Sequence, residues 1–193
     1  MNTMIENSSA GSATIKYAGL GKRLKAFLFD YLVMFFYILV WVGIGVSVTV
    51  TAGPLDQISP LFASPVVLDA MAFLVLILPV SLYFTLQEGS PRQATWGKRK
   101  AGIRVVNANG ETLTRMQAFV RALVKFLPWQ IAHTSIYHIQ GLPFAPVDPS
   151  PMVMAGFALV YVLIGIYVAS ALISKRRRTP YDWVAGSFVI ETN

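Results

Sequence analysis

The chain has 193 residues, of which 55% are hydrophobic and only 13% are charged. This composition is rare among water-soluble globular domains and is typical of membrane proteins. The formal net charge of +7 would suit nucleic acid, but the basic residues flank apolar segments, where membrane orientation accounts for them. We therefore expect no nucleic-acid partner. The absence of cysteine excludes disulfides, thiolate nucleophiles and cysteine-containing metal sites.

The first residues are polar and rich in Asn, Ser and Gly, with too little apolar surface to pack. They predict a disordered tail over residues 1–15, followed by one membrane domain over residues 16–193. No basic segment adjoins an apolar one at the start, as it does in a signal peptide. We therefore expect the first apolar segment to stay in place as an anchor.

A bilayer core of about 30 Å needs roughly 20 mostly apolar residues per helical crossing. Three segments meet this requirement clearly, and a fourth is interrupted by Arg121, Lys125, two histidines and Pro128. Pro79 should kink the second helix and free a backbone carbonyl. The predicted helices cover residues 24–50, 66–86, 116–139 and 152–173.

The placement of basic residues decides whether the third of these helices crosses the membrane. Residues 51–64 and 140–151 contain no Lys or Arg, whereas a basic cluster follows residue 173 directly. With four crossings, all 16 Lys and Arg lie at the inner face or at inner helix ends, in agreement with the positive-inside rule. We therefore predict an all-α integral membrane protein with four transmembrane helices and both termini cytoplasmic. The basic face would contact anionic lipid headgroups.

Two polar segments lie on the predicted inner side. In the loop over residues 88–114, apolar and polar residues alternate around Asn109-Gly110, which predicts a small β-hairpin. In the C-terminal segment over residues 179–190, Thr179 and Asp182 have the spacing of a capping box around a short interfacial helix that Gly186 can end.

Asp30 is the one carboxylate within the first apolar segment. No basic residue lies within one helical turn of it, and a charge in that setting is costly unless it is paired or hydrated. By depth, Arg121 and Lys125 are the nearest candidates, and we predict an Asp30–Arg121 contact. Such a pair would either fix helix packing or form an ion or proton site open to the cytoplasm, and the residues leave both interpretations open.

Other chemistry is poorly supported. His133 and His138 are five positions apart, so on a helix they point in different directions, and we expect histidines of the outer interface and no metal site. Gly97-Lys98 lacks the remaining residues of a phosphate-binding loop. No Ser-His-acid set and no paired carboxylates occur within one span. We expect no cofactor and no enzymatic activity.

Taken together, these residues resemble the RDD family of bacterial multi-pass membrane proteins. Arg23 and Asp30 match its first arginine and aspartate, and Arg121 matches its downstream arginine. The segment TWGKRKAGIRVVNANGE, with Gly97, Lys98 and Gly102, is similar to its cytoplasmic loop motif. YDWVAGSFV is similar to its C-terminal motif, which makes Asp182 the second aspartate, although Tyr181 stands where the family usually has His and Ser187 where it has Thr.

The resemblance implies a bacterial inner-membrane protein and suggests transport, including cation/proton exchange. The leading hypothesis is a transporter of a small ion or solute with Asp30 and Arg121 at its site. Arg23, Asp182 and Lys125 would form an inner gate or a structural charge network. Four helices are few for a transport path, so this version requires a homo-oligomer. The alternative is an accessory or assembly subunit of a membrane complex, held to a membrane-protein partner through its inner face.

Overall fold

The computed structural model describes residues 15–54, 57, 59–140 and 147–192. Apart from Ile15, the tail predicted over residues 1–15 lies outside the described residues. The described chain is mostly helical and contains a two-stranded sheet. In chain order its helices are α1 (Leu20–Ala52), α2 (Pro65–Glu88), α3 (Trp96–Lys100), α4 (Arg115–Tyr137), α5 (Pro151–Ile173) and α6 (Pro180–Val184).

The four long helices coincide with the four predicted helical segments. Three of them, α1, α2 and α5, are long and apolar enough to cross a membrane. Helix α4 has the length of α5 but is less apolar, because Arg121, Lys125 and His133 lie within it. The side chains of α1 and α5 remain largely exposed in the isolated chain, as with Phe36 at 65% and Tyr161 at 76%. In a membrane protein such apolar faces contact lipid.

The helices pack in a defined order. Helix α4 lies between α2 and α5 and packs against both. Helix α1 makes its most extensive contact with the short helix α3 and only a small one with α5. The loop between α2 and α4, which contains α3, is therefore the main element that holds α1 in the fold.

Pro79 shapes α2 as predicted. Because proline has no N–H, the carbonyl of Val75 loses its helical partner, and the Tyr37 hydroxyl of α1 donates to it instead. The helix widens into a π-turn over Phe73–Ile77 at the same place. The proline thus creates a polar tie between α1 and α2.

Pro128 has the same consequence in α4. The helix continues through it, and the freed carbonyl of Val124 accepts a hydrogen bond of 2.5 Å from the Tyr167 hydroxyl of α5. A tyrosine on a neighbouring helix therefore satisfies the backbone group released by each of these two prolines.

The predicted hairpin is wrong. Strand β1 (Ile103–Val106) pairs antiparallel with the C-terminal strand β2 (Phe188–Glu191), so its partner lies more than 80 residues away. The turn forms as expected, with Gly110 at φ 81°. However, the returning chain becomes the start of α4, where Thr114 and Gln117 form a capping box. No residues are left there for a second strand.

The sheet closes a small core at one end of the bundle. The N-terminus of α1 and α4 and the C-terminus of α2 and α5 meet at this end, which we name the charged end. The core is formed by buried apolar residues of the sheet, its flanking loops, α1 and α4, namely Ala18, Ala26, Ala101, Ile103, Val105, Leu113, Ala118 and Val189. At the opposite end, Asp69 of α2 accepts hydrogen bonds from Gln130 and Thr134 of α4.

Candidate functional site

Arg121 lies in the second turn of α4 and points into the charged end, where its side chain is 2% exposed. Its guanidinium donates through Nε and Nη2 to Asp182 Oδ1, at 3.1 and 2.7 Å, and through Nη1 to Glu88 Oε2. Nε also contacts Ser187 Oγ at 3.1 Å. One buried cation thus binds two carboxylates from different parts of the chain, as the fork of an arginine allows.

Asp182 combines both roles that the sequence suggested for it. Its Oδ2 accepts from the backbone and hydroxyl of Thr179, at 3.1 and 2.9 Å, which completes the capping box of α6. The same oxygen accepts from Arg23 Nη1 at 2.8 Å. Burial alone would raise the pKa of Asp182, but the guanidinium groups of Arg121 and Arg23 outweigh it and hold the pKa well below its usual range.

Glu88 is a residue of this site that was not predicted from the sequence. It is the last residue of α2, it is fully buried, and it binds Arg121 through one carboxylate oxygen and Lys98 through the other. Its position before Gly89 suggested the start of a polar loop. The sequence feature that could have indicated this role is the carboxylate of Glu88 at the inner end of an apolar helix, at the same predicted depth as Arg121.

Lys98 brings the predicted loop motif into this network. Thr95 caps α3, and the Lys98 ammonium reaches Glu88 while lying 5.2 Å from the centre of the Phe84 ring. Burial lowers the pKa of Lys98, and the attraction of Glu88 restores part of that loss. Gly102 ends the loop helix with φ 65°.

Asp30 has its own set of partners. Its Oδ2 accepts from the Thr95 hydroxyl at 2.6 Å, and its Oδ1 accepts from the Gly97 backbone N–H at 2.8 Å and the Tyr83 hydroxyl at 3.2 Å. The side chain is 1% exposed. We name this arrangement the Asp30 latch, because it fastens α3 to α1 and α2.

The predicted Asp30–Arg121 contact is therefore wrong. Arg121 is fully engaged by Glu88 and Asp182, and uncharged hydroxyl and backbone donors compensate the carboxylate of Asp30. The predicted association of Arg23 with Asp182 does occur, at 2.8 Å. Lys125 is part of neither the Asp30 latch nor the ion pairs around Asp182. Its ammonium lies 3.6 Å from the centre of the Phe84 ring, and no carboxylate among the described residues pairs with it.

A cavity of about 180 Å³ lies between these groups. Asp30 and Arg121 both line it, although they do not touch, and apolar residues of α1 and α5 form much of its wall. Such a cavity is several times larger than the roughly 30 Å³ that a water molecule occupies in the liquid. The ionisable residues that line it are Arg23, Asp30, Lys98, Arg121, Lys125, Tyr167 and Tyr181.

Comparison with known families gives one finding. The family model described as the RDD family matches residues 17–186, which is most of the chain. The match includes the residues of the Asp30 latch and the charge network, which is formed by Arg23, Glu88, Lys98, Arg121 and Asp182. It also includes every residue that lines the cavity except Val189. The searches of curated proteins and of solved structures returned no match.

The Asp30 latch leaves no room for a side chain at Gly97. A Cβ there would lie 2.1 Å from the Ala26 carbonyl oxygen and 2.7 Å from Asp30 Cγ. We expect Gly97→Ala to lower the free energy of unfolding by about 3 kcal/mol or more, since overpacking against backbone cannot relax cheaply. Thermal unfolding of the purified protein in detergent measures this loss.

The matched control is Gly43→Ala in α1, where a Cβ meets nothing within 4 Å. It should be neutral or stabilising by up to about 1 kcal/mol, the usual helix preference for alanine. Equal stability of Gly97→Ala and the unaltered protein would contradict the close approach of α3 to α1.

The charge network should make stability depend on pH through Asp182. Because the folded-state pKa of this group is depressed, its contribution is complete above the unfolded value of about 3.9 and is lost as the pH falls below it. The stability difference between the unaltered protein and Asp182→Asn should be constant from pH 7 to 5. It should then narrow by about 1.4 kcal/mol per pH unit below about pH 4.

Thermal unfolding of both proteins over that pH range tests this expectation, because the subtraction removes the titration of all other groups. A difference that stayed constant to pH 2.5 would show that Asp182 is not held ionised by Arg23 and Arg121.

Proposed function

The chain belongs to the RDD family, and from this premise we propose that it is a multi-pass membrane transporter that moves a small ion through the cavity at its charged end. The observation that carries the proposal is the cavity itself: a space of about 180 Å³ at the end of a bundle of membrane-type helices, lined by Asp30, Arg121 and Lys125. Intramembrane ionisable groups beside a cavity are the usual markers of an ion path.

In this proposal the chain crosses the membrane four times, with both termini in the cytoplasm of a bacterial cell. The place of α4 between α2 and α5, and its length equal to that of α5, support a fourth crossing. The charged end then faces inward, as the positive-inside rule requires for its basic residues. Anionic headgroups of the inner leaflet would lie beside it.

The lining residues have different parts in the proposed path. Arg121 is held by two carboxylates, so it supplies a fixed positive charge at the wall. The Asp30 latch holds the loop that closes the cavity on one side, and opening of the latch would move α3 away from α1. One bundle of four helices is small for a complete path, and we propose that it acts as a homo-oligomer.

A pair of substitutions on α5 tests the path without changing the charge network. Ala171 is 2% exposed and lines the cavity, whereas Ala169 lies on the exposed face of the same helix. Ala171→Leu should reduce flux roughly tenfold or more, because a close-packed interior has no other space for the added carbons. Ala169→Leu should transport normally.

The measurement uses proteoliposomes that contain a pH-sensitive dye, with imposed gradients of sodium, potassium or phosphate. Protein-dependent flux that falls in Ala171→Leu and is retained in Ala169→Leu is the expected result. Absence of flux from folded protein, or equal flux in both variants, would overturn the proposal.

The second candidate is an accessory or assembly subunit of a membrane complex. It is favoured by the compensation of the buried carboxylates, because Glu88 and Asp182 of the charge network and Asp30 of the latch all have partners inside the fold. Under this hypothesis the charges are architectural, and Asp30→Asn prevents folding. Under the transport proposal, a folded but inactive Asp30→Asn protein is the expected result.

A further inference from the structure

Arg23 has a buried donor that the charge network does not use. Its side chain is 10% exposed and lines the cavity at the charged end. Nε donates to the Ala18 carbonyl at 3.2 Å and Nη1 to Asp182 at 2.8 Å. Nη2 is buried, and no acceptor in the described part of the chain reaches it. A buried donor without an acceptor is costly, and such groups call for an explanation.

Lys125 lines the same cavity, and no carboxylate in the described part of the chain pairs with its ammonium. Its ammonium lies over the Phe84 ring and 5.3 Å from the centre of the Phe126 ring. Within residues 15–54, 59–140 and 147–192, none of the ion pairs includes it. Contact with aromatic faces compensates an ammonium only in part.

The charge balance at the charged end agrees with the lack of anionic partners, among the described residues, for Arg23 Nη2 and the Lys125 ammonium. Four cationic side chains line the cavity, namely Arg23, Lys98, Arg121 and Lys125. Three buried carboxylates lie among or behind them, namely Asp30, Glu88 and Asp182. With every group in its ionised form, four positive and three negative charges leave an excess of one positive charge at this place.

We propose that the cavity at the charged end binds a small oxyanion of the phosphate type, held between Arg23 and Lys125. The Arg23 guanidinium favours an oxyanion because, within the residues that the structure describes, Nη2 keeps its N–H donors free after Nε and Nη1 have bound Ala18 and Asp182. The ammonium of Lys125 adds a point charge. A cation fits less well, because the one carboxylate in the wall, Asp30, already accepts three hydrogen bonds. The phosphate group could belong to a free ion or to a lipid headgroup at the membrane surface.

Only the role of the bound oxyanion, as the transported ion, rests on the proposed function. Binding itself is an equilibrium property and is measured without a gradient. If phosphate bound but no flux were observed, the binding site would stand and the transport proposal would be wrong. If flux were observed but phosphate binding did not depend on Lys125, the proposed binding site would be wrong and the transport proposal would stand.

The test is thermal unfolding of the full chain in detergent during titration with inorganic phosphate, at an ionic strength kept constant with sodium chloride. We expect a saturable rise in Tm for the unaltered protein. Lys125→Met keeps the apolar stem against Phe84 and removes the charge, so its apparent affinity should fall about tenfold or more. Arg23→Lys, which retains a charge for Asp182 but loses Nη2, should weaken binding as well.

Lys100→Met is the matched control, because Lys100 is exposed on α3 and does not line the cavity. It should bind phosphate like the unaltered protein. A second arm uses phosphatidylcholine nanodiscs with and without phosphatidylglycerol, in the absence of free phosphate. Stabilisation by phosphatidylglycerol that Lys125→Met abolishes would identify the headgroup as the source. No stabilisation by either source, or equal stabilisation of Lys125→Met, would overturn the proposal.

Discussion

The buried guanidinium of Arg121 imposes the strongest constraint on this fold. A charge with 2% of its side chain exposed is tolerated only when its donors meet acceptors, and Arg121 meets Glu88 at the end of α2 and Asp182 in α6. These partners lie 33 and 61 residues away in the chain. Arg23 and Lys98 then bind the outer oxygens of the same two carboxylates. The network therefore fixes how the chain ends meet the bundle.

The Asp30 latch is a separate device with a different chemistry. It compensates a carboxylate with hydroxyl and backbone donors, so it needs no cation and leaves Arg121 free for Glu88 and Asp182. Its consequence is the close contact of α3 with α1, the most extensive contact that α1 makes. The cavity lies between the latch and the network, so both devices hold its walls. Because the cost of removing charges from water offsets much of the attraction in a buried ion pair, we infer that the charge network serves mainly to define this geometry.

The predictions from sequence succeeded where the signal is local. Apolar length located α1, α2 and α5, the spacing of Thr179 and Asp182 predicted the cap of α6, and Pro79 predicted a free carbonyl. They failed where distant segments compete for one partner. The depth of residues along their helices cannot show that Arg121 pairs with Glu88 and not with Asp30. The alternation around Asn109-Gly110 likewise cannot show that β2 supplies the partner strand.

The fork of Arg121, and not merely its charge, joins the elements of the charged end. Thermal unfolding of Arg121→Lys in detergent tests it most directly, with Arg115→Lys on the exposed first turn of α4 as the control. A lysine cannot bind Glu88 and Asp182 together in this geometry, so we expect Arg121→Lys to lower the free energy of unfolding by roughly 2 kcal/mol or more and Arg115→Lys to leave it unchanged. Equal stability of the two variants would contradict it.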